Sequence, residues 1–445
     1  MRIVALVLGI SSALFGREML SLPQAIDLAL KSHPLVAASQ AGERESEARV
    51  RQARSAYMPR VNFSESLQRS NNPVFVFGSL LTQHQFTADN FALGPLNRPD
   101  ALNNYQSRLA VEQVLYDFRQ TSRGVASARL GREIAGEDTR RSNADVILGV
   151  LRTYFGVALA AKNLEVAEMS LRSAQADLDR ATAIYQAGRS TEADVLALRV
   201  HRAEVEEQRI RAANDLAVAR AALNDALGVD LDRPFELTTP LESGAGPRAN
   251  TLDDYKKTAA EQRPELRQAE MAERLAGTQE ELARSFYWPQ VVFQGIVEAD
   301  RQAFYNKAGS NWFTAVTLRW TLWNGGDTKA KTEQARFAAS RAEAMRKRAD
   351  SAVELEIRKA YLDLAAASQR LEVTTAAVAE AEEAYRIVQN RHEAGLTTVT
   401  ELLRSETALS AARTRKLAAI YDHRIAAAAL EHASGTLTPQ TAVAN

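Results

Sequence analysis

Cysteine is absent from all 445 residues. That excludes disulfides, thiol nucleophiles, Cys-based zinc sites and an N-terminal lipidated Cys. An excess of either charge is also missing, since 55 Lys and Arg face 55 Asp and Glu. The chain therefore carries no global footprint for nucleic acid. Histidine is sparse: His33, His84, His201, His392, His423 and His432 are scattered, and no two have the i, i+4 spacing of a helical metal site. They read as solvated or core histidines, and no metal or cofactor is expected. No P-loop, G-x-S-x-G, H-E-x-x-H or Rossmann fingerprint occurs. The carboxylates alternate with Lys and Arg as solvated helix faces do, so an enzyme is not expected. Beyond the N-terminus no run of 18 apolar residues exists, so any crossing of a membrane must be made by strands.

What is present is a duplication. The stretch from Tyr185 through Gly188, Thr191 and Asp194 to Leu196 returns as His392 through Gly395, Thr398 and Glu401 to Leu403. One spacing separates both Gly188 from Gly395 and Thr191 from Thr398. In each copy Gly can end a helix because it tolerates positive φ, and Ser190 or Thr397 is expected to cap the next helix. A second pair of landmarks repeats with its own constant spacing: Pro34 and Pro59 return as Pro264 and Pro289. A helix of fixed length thus occurs twice, stopped each time by a proline in Tyr57-Met58-Pro59-Arg60-Val61 and Tyr287-Trp288-Pro289-Gln290-Val291.

After each proline the period changes to two. Val61 to Gln68 and Val291 to Glu298 read as strands, with returning strands from about Gln106 to Tyr116 and from Trp312 to Trp323. In the last of these, Trp312, Thr314, Val316, Leu318, Trp320 and Leu322 share one face. Strands of roughly ten residues, apolar on one side and bracketed by aromatics, suit an outer-membrane barrel. The bracketing residues are Tyr57, Tyr116, Tyr287, Trp288, Trp312, Trp320 and Trp323. Long helices follow, from about Arg119 and about Asp327. Leu164, Leu171, Leu178 and Tyr185 recur every seventh residue, each followed at three by Ala167, Ala174, Ala181 and Gly188. That heptad supports close helix packing. At about 1.5 Å per residue, the first such helix is on the order of 100 Å long.

The expected organisation is therefore a leader over residues 1–20, with Arg2 and an apolar core from Ile3 to Phe15. A first repeat occupies 21–228, with a β-hairpin over about 61–116 and a helical hairpin over about 119–228. A linker over 229–250 has room for one short strand. The second repeat occupies 251–435, with its hairpins over about 291–323 and 327–435, and a disordered tail covers 436–445. Four strands per chain cannot close a conducting barrel, and a sheet edge cannot lie open in lipid, so several chains must share one wall.

The helix–Pro–strand junctions, the exits Leu115-Tyr116-Asp117-Phe118 and Leu322-Trp323-Asn324-Gly325-Gly326, and the two tip turns together resemble the TolC-type family of outer-membrane efflux and secretion channels. The resemblance implies an α+β membrane protein, a homotrimer whose twelve-stranded barrel is continued by a long α-helical barrel in the periplasm of a Gram-negative bacterium. It implies a channel of a tripartite efflux or type I secretion system, fed by a periplasmic adaptor and an RND- or ABC-type inner-membrane pump. Gly188, Thr191, Gly395, Leu396 and Thr398 are then the adaptor-contact candidates. Acidic residues just after the second tip ring the entrance in that family. The matching position is Glu401, with Asp194 its counterpart in the first repeat, and Arg404 stands where some members have a further acid. The alternative is a periplasmic coiled-coil adaptor or scaffold without a pore.

Overall fold

The protein is described by a computed structural model covering residues 18–242 and 251–444. Residues 1–17, where most of the expected leader falls, lie outside the described residues, as do 243–250 of the linker. In chain order the elements are β1 (Glu18–Leu20), α1 (Leu22–Ser32), α2 (Pro34–Arg54), β2 (Arg60–Ser70), α3 (Pro73–Thr82), α4 (Leu93–Asn97), β3 (Leu102–Tyr116), α5 (Gln120–Gln186) and α6 (Glu192–Leu227). They continue as β4 (Phe235–Leu237), α7 (Leu252–Gln262), α8 (Pro264–Ser285), β5 (Gln290–Arg301), β6 (Gly309–Arg319), α9 (Asp327–Glu393), α10 (Val399–Ser434) and α11 (Pro439–Ala444). The duplication is exact in its long helices: α5 and α9 each have 67 residues, α6 and α10 each 36. The chain divides into two compact units. One comprises Glu43–Ala135 and Ala269–Arg346; the other holds the remaining described residues.

The first unit contains an antiparallel sheet in the order β2-β3-β5-β6, in which the hairpins of the two repeats meet through β3 and β5. Register sorts the residues into two faces. Phe63, Leu109, Val297 and Trp312 lie in one cross-strand row, Val61, Val111, Gly295 and Thr314 in the next, and Phe293 and Val316 continue the same face. The large side chains of this face stand open, with Phe63 69% and Trp312 77% exposed. The opposite face carries the rows Ser64–Arg108–Glu298–Asn311 and Ser66–Gln106–Asp300–Gly309, together with buried Val292 and Ile296. Among the described residues β2 and β6 pair with no further strand.

Strand β6 stops at Arg319, earlier than expected. The Trp320 indole N–H donates to the Tyr287 carbonyl at 3.0 Å, which draws the chain off the ladder. The Gly325-Gly326 turn, at positive φ, then redirects it into α9. In the first repeat the equivalent turn is made by Phe118 and Arg119, also at positive φ, and Asp117 accepts from the Thr121 N–H at 2.7 Å to cap α5.

The second unit is built on α5. Its apolar stretch, long and apolar enough to cross a membrane by length and composition, is the spine of a core. There Val146, Ile147, Val150, Leu151, Tyr154 and Phe155 meet Leu22 and Ile26 of α1 and Leu223 and Leu227 of α6. The Tyr154 hydroxyl donates to the Leu20 carbonyl at 2.9 Å and accepts from Thr239 N–H at 3.0 Å, which ties β1 and the segment after β4 to this helix. Residues 18–20, assigned above to the leader, are thus the parallel partner of β4, the short strand allowed for in the linker. The tail is also corrected. Leu437 is buried in the core, Thr438 caps α11, and the tail is helical from Pro439 to Ala444 rather than disordered. An apolar residue that reaches a core outweighs the polarity of its neighbours. In the heptads, the small position is the buried one: Ala167, Ala174 and Ala181 are enclosed while Tyr185 is exposed.

Gly228 and Gly435 end α6 and α10 in the left-handed conformation, as expected. Each is pressed against a helix junction ahead of a proline. A Cβ on Gly228 would stand 2.8 Å from His33 Cα, and one on Gly435 would stand 2.9 Å from the Arg263 nitrogen.

Candidate functional site at the helical tips

Both tips belong to the second unit. At the first, Gly188 has φ +74° and its N–H donates to Tyr185 O at 2.8 Å. At the second, Gly395 has φ +71° and its N–H donates to His392 O at 2.9 Å. Space around each Cα is open, so conformation alone calls for glycine. The cap is one residue later than expected. Thr191 and Thr398, not Ser190 and Thr397, accept from the N–H groups of Asp194 at 3.2 Å and Glu401 at 3.4 Å. Only a residue with extended backbone can serve as N-cap, and Thr191 and Thr398 have it.

The two acids differ. Asp194 accepts hydrogen bonds from the Thr191 hydroxyl at 2.8 Å and the Ser190 hydroxyl at 3.1 Å. Those bonds hold its carboxyl below the usual range, with a smaller pull from the His392 charge. Among the described residues Glu401 has no such hydroxyl partner. Its carboxylate lies 3.4 Å from Arg404 one turn on, and the two side chains are 53% and 74% exposed. Of the acids proposed for the entrance, one is spent on its own helix cap and the other stands out in solvent. Leu396 is exposed at the second tip.

Beneath the tips, Leu178 and Ala181 of α5, Val195 and Leu198 of α6, and Val399 and Leu403 of α10 form one apolar cluster. Polar links join the repeats around it. Arg180 donates to Glu393 at 2.9 Å, Ser173 and Tyr385 hydroxyls lie 3.1 Å apart, and His201 Nε2 is 3.2 Å from Glu406 Oε2. Glu406 and Asp177 are both buried. The hydrogen bond to Glu406 raises the His201 pKa. Burial, reinforced by the Glu406 charge, raises that of Asp177. These three residues escaped the sequence reading, which took His201 for one scattered histidine. A signal existed in retrospect: His201 and Glu406 lie at similar distances beyond Gly188 and Gly395. Among the described residues no group of three or more His, Asp or Glu is placed to hold a metal.

In the sheet unit, Tyr57, Tyr116, Tyr287, Trp288, Trp320 and Trp323 gather where strands meet helices, and Trp312 lies toward the other end of β6. All seven are exposed. Trp288 stacks on Phe118 at 5.4 Å, a partner the sequence did not single out.

A sheet that is apolar on one face and polar on the other, joined in sequence to paired long helices, fits a class: channels that cross the outer membrane with strands. The chain belongs to the outer membrane efflux protein family, whose sequence profile matches residues 25–229 and 256–436, one stretch in each repeat. Protein CyaE of Bordetella pertussis is 27% identical over 437 residues, covering 95% of this chain and 85% of that protein. The alkaline protease secretion protein AprF of Pseudomonas aeruginosa is 25% identical over 398 residues, covering 86% of this chain and 78% of its own. The outer membrane protein VceC of Vibrio cholerae has the same fold, with a TM-score of 0.78 at 17% identity over 93% of this chain and 96% of that one. The protein is an outer-membrane channel of the efflux and type I secretion class, and these likenesses favour that reading over the adaptor or scaffold.

Proposed function

We propose that three copies of this chain close one twelve-stranded barrel and conduct cargo from a periplasmic adaptor and its inner-membrane pump to the outside. The observation that carries this is the sheet itself. Its edge strands β2 and β6 lack partners among the described residues while its apolar face lies open. In lipid such edges must be paired by other copies. The tips at Gly188 and Gly395 are the adaptor-contact surface. Glu401 supplies one carboxylate per copy to a ring at the entrance, and Arg404 partly screens it from within the same helix. The seven aromatics set the depth of the barrel at the two lipid interfaces. The name of the relative AprF, a protease secretion protein, supports a polypeptide as one class of cargo.

Extraction and electrophoresis test the assembly. The protein should require detergent, migrate as a trimer when unheated and as a monomer when boiled, and conduct in planar bilayers. A monomer that dissolves without detergent would refute it.

A further inference from the structure

The connection between β2 and β3 does not simply stand out from the sheet as a loop. Asn72 caps α3 by accepting from Val74 and Phe75 N–H groups. From there the helix runs back to the sheet, and its Val76 and Ser79 are buried. Its C-terminal end is pinned by a chain of amides. The Gln83 side chain donates to Asn103 O at 3.0 Å and to Asn104 Oδ1 at 2.9 Å, and Asn104 donates to Asp300 Oδ1 at 2.7 Å. Asn311 donates to the Thr82 carbonyl at 3.1 Å. Gln106 and Gly309 flank Asp300 in one cross-strand row, and Asn311 lies in the adjoining row with Arg108 and Glu298. The side-chain anchors Asn104, Asp300 and Asn311 therefore belong to the face opposite Phe63 and Trp312. Gly309 is where the helix end comes closest. A Cβ there would stand 2.8 Å from the Gln83 carbonyl carbon and nearer still to Thr82 O. Phe77, Phe86 and Phe91 extend the fold of the connection by successive edge-to-face contacts at 4.8 and 5.1 Å.

This placement acquires meaning from the channel reading, on which the inference rests. If the open apolar face meets lipid, the polar face lines the lumen. A helix lying on the polar face at the hairpin end is then inside the outlet. We propose that α3 is a strap across the extracellular mouth, contributed once by each copy, that narrows the duct at its exit and must move for bulky cargo to leave. Its attachment is suited to release. Asp300 is 0% exposed, yet its Oδ2 has no hydrogen-bond partner, and neither has Gln83 Oε1. Buried acceptors without donors weaken docking relative to the hydrated, detached strap.

The absence of cysteine makes the test clean. Asn62 is exposed, lies on the polar face and is six residues along β2 from Gln68, whose partner is the anchor Asn104. Intact cells carrying Asn62→Cys are treated from outside with a small membrane-impermeant maleimide and with a bulky polymer-linked one. The same is done after Gly309→Val, and after replacing residues 73–82 by a Gly-Ser linker of equal length. The small reagent should label all three proteins alike, and the polymer should label the two altered proteins several-fold faster. Equal polymer rates with and without the strap would overturn the strap while leaving the channel intact. A Cys at position 62 that the small reagent reaches in none of them, though a lipid-soluble maleimide does, would show that this face is not an open lumen. That result would remove the channel reading as well. The linker protein keeps the test decisive should Gly309→Val fail to assemble.

Discussion

The two helical tips share a backbone and differ in what their side chains do with it. Each follows a 67-residue helix, turns at a glycine of positive φ and restarts at a threonine cap. In the first repeat Thr191 and Asp194 bond reciprocally and Ser190 adds a third contact. In the second, Thr398 makes a single long contact to Glu401 N–H, and the Glu401 carboxylate turns to Arg404 at 3.4 Å. The Glu401 side chain turns away from its cap, although one of that length can reach back, as Gln24 does to the Ser21 N–H and hydroxyl at 2.9 and 2.8 Å. The duplicated frame is shared, and divergence at Ser190/Thr397 and Asp194/Glu401 leaves one tip locked and the other with a charge available.

The sharpest way to break the symmetry lies at the roots of the hairpins. Ala at Gly228 or Gly435 meets both a positive φ and a neighbouring backbone within 3 Å. The expected loss is about 3 to 5 kcal/mol at either position. Ala at Gly188 or Gly395 meets the φ penalty alone, about 1–2 kcal/mol. Thermal midpoints of the four proteins in one detergent check this ordering. If root and tip substitutions cost the same, the crowding at the roots is not real.

Next in size is the buried link between repeats. Removing His201 with Ala leaves Glu406 enclosed without its partner, at a cost of about 3 kcal/mol. The pH dependence has a definite sign. A histidine whose folded pKa is raised contributes stability that is full below its unfolded value and is lost as pH rises through the folded one. Asp177, a raised acid, works in the same direction, since its charged form is disfavoured in the fold. The groups facing His201 include Glu204 on its own helix, Glu406 on α10 and Asp177 on α5; Arg180, His392 and Glu393 lie around Asp177. The link should be strongest in mild acid and weaken on alkalinisation. A thermal midpoint that changes with pH identically in wild type and His201→Ala would contradict it.

The caps come third. Thr191→Ala removes a reciprocal pair and should cost about 1–2 kcal/mol, and Thr398→Ala about half as much. Equal losses would mean that the 3.4 Å contact at Thr398 is as good as the closer bonds at Thr191.

How far this could be read beforehand depended on range. Pro34, Pro59, Pro264 and Pro289 act on their immediate neighbours, and the helix boundaries they announced appear where expected. The alternation through Phe63, Leu109 and Trp312 likewise fixed which face is apolar, because register carries it across the sheet. Misreadings arose where a distant partner decided. Leu20 and Leu437 are ordered by a core built from α1, α5 and α6, and Trp320 leaves its strand for the Tyr287 carbonyl. At the tips, spacing located Glu401 and Asp194 but not their difference in use. His201 and Glu406 belong to separate repeats and become neighbours only after folding, so their similar distances beyond Gly188 and Gly395 were the one trace of the link in the sequence.

The smallest effect on stability carries the most information about function. Glu401→Gln removes an exposed charge whose pairing with Arg404 is worth under about 0.5 kcal/mol, so folding should be unaffected. Asp194→Asn weakens a cap and should lower stability, most clearly above the normal carboxylate range. A depressed pKa contributes there, and the contribution vanishes as pH falls through the lowered value. In single-channel recordings the pattern should reverse. Glu401→Gln should reduce cation selectivity, because the proposed ring would lose its carboxylates. Asp194→Asn should leave selectivity unchanged, because its charge is held by the hydroxyls of Thr191 and Ser190. Unaltered selectivity in Glu401→Gln removes the ring from the mechanism. Altered selectivity in Asp194→Asn means that a carboxylate bound into its own cap still acts on passing ions, and the two tips would then be functionally equivalent.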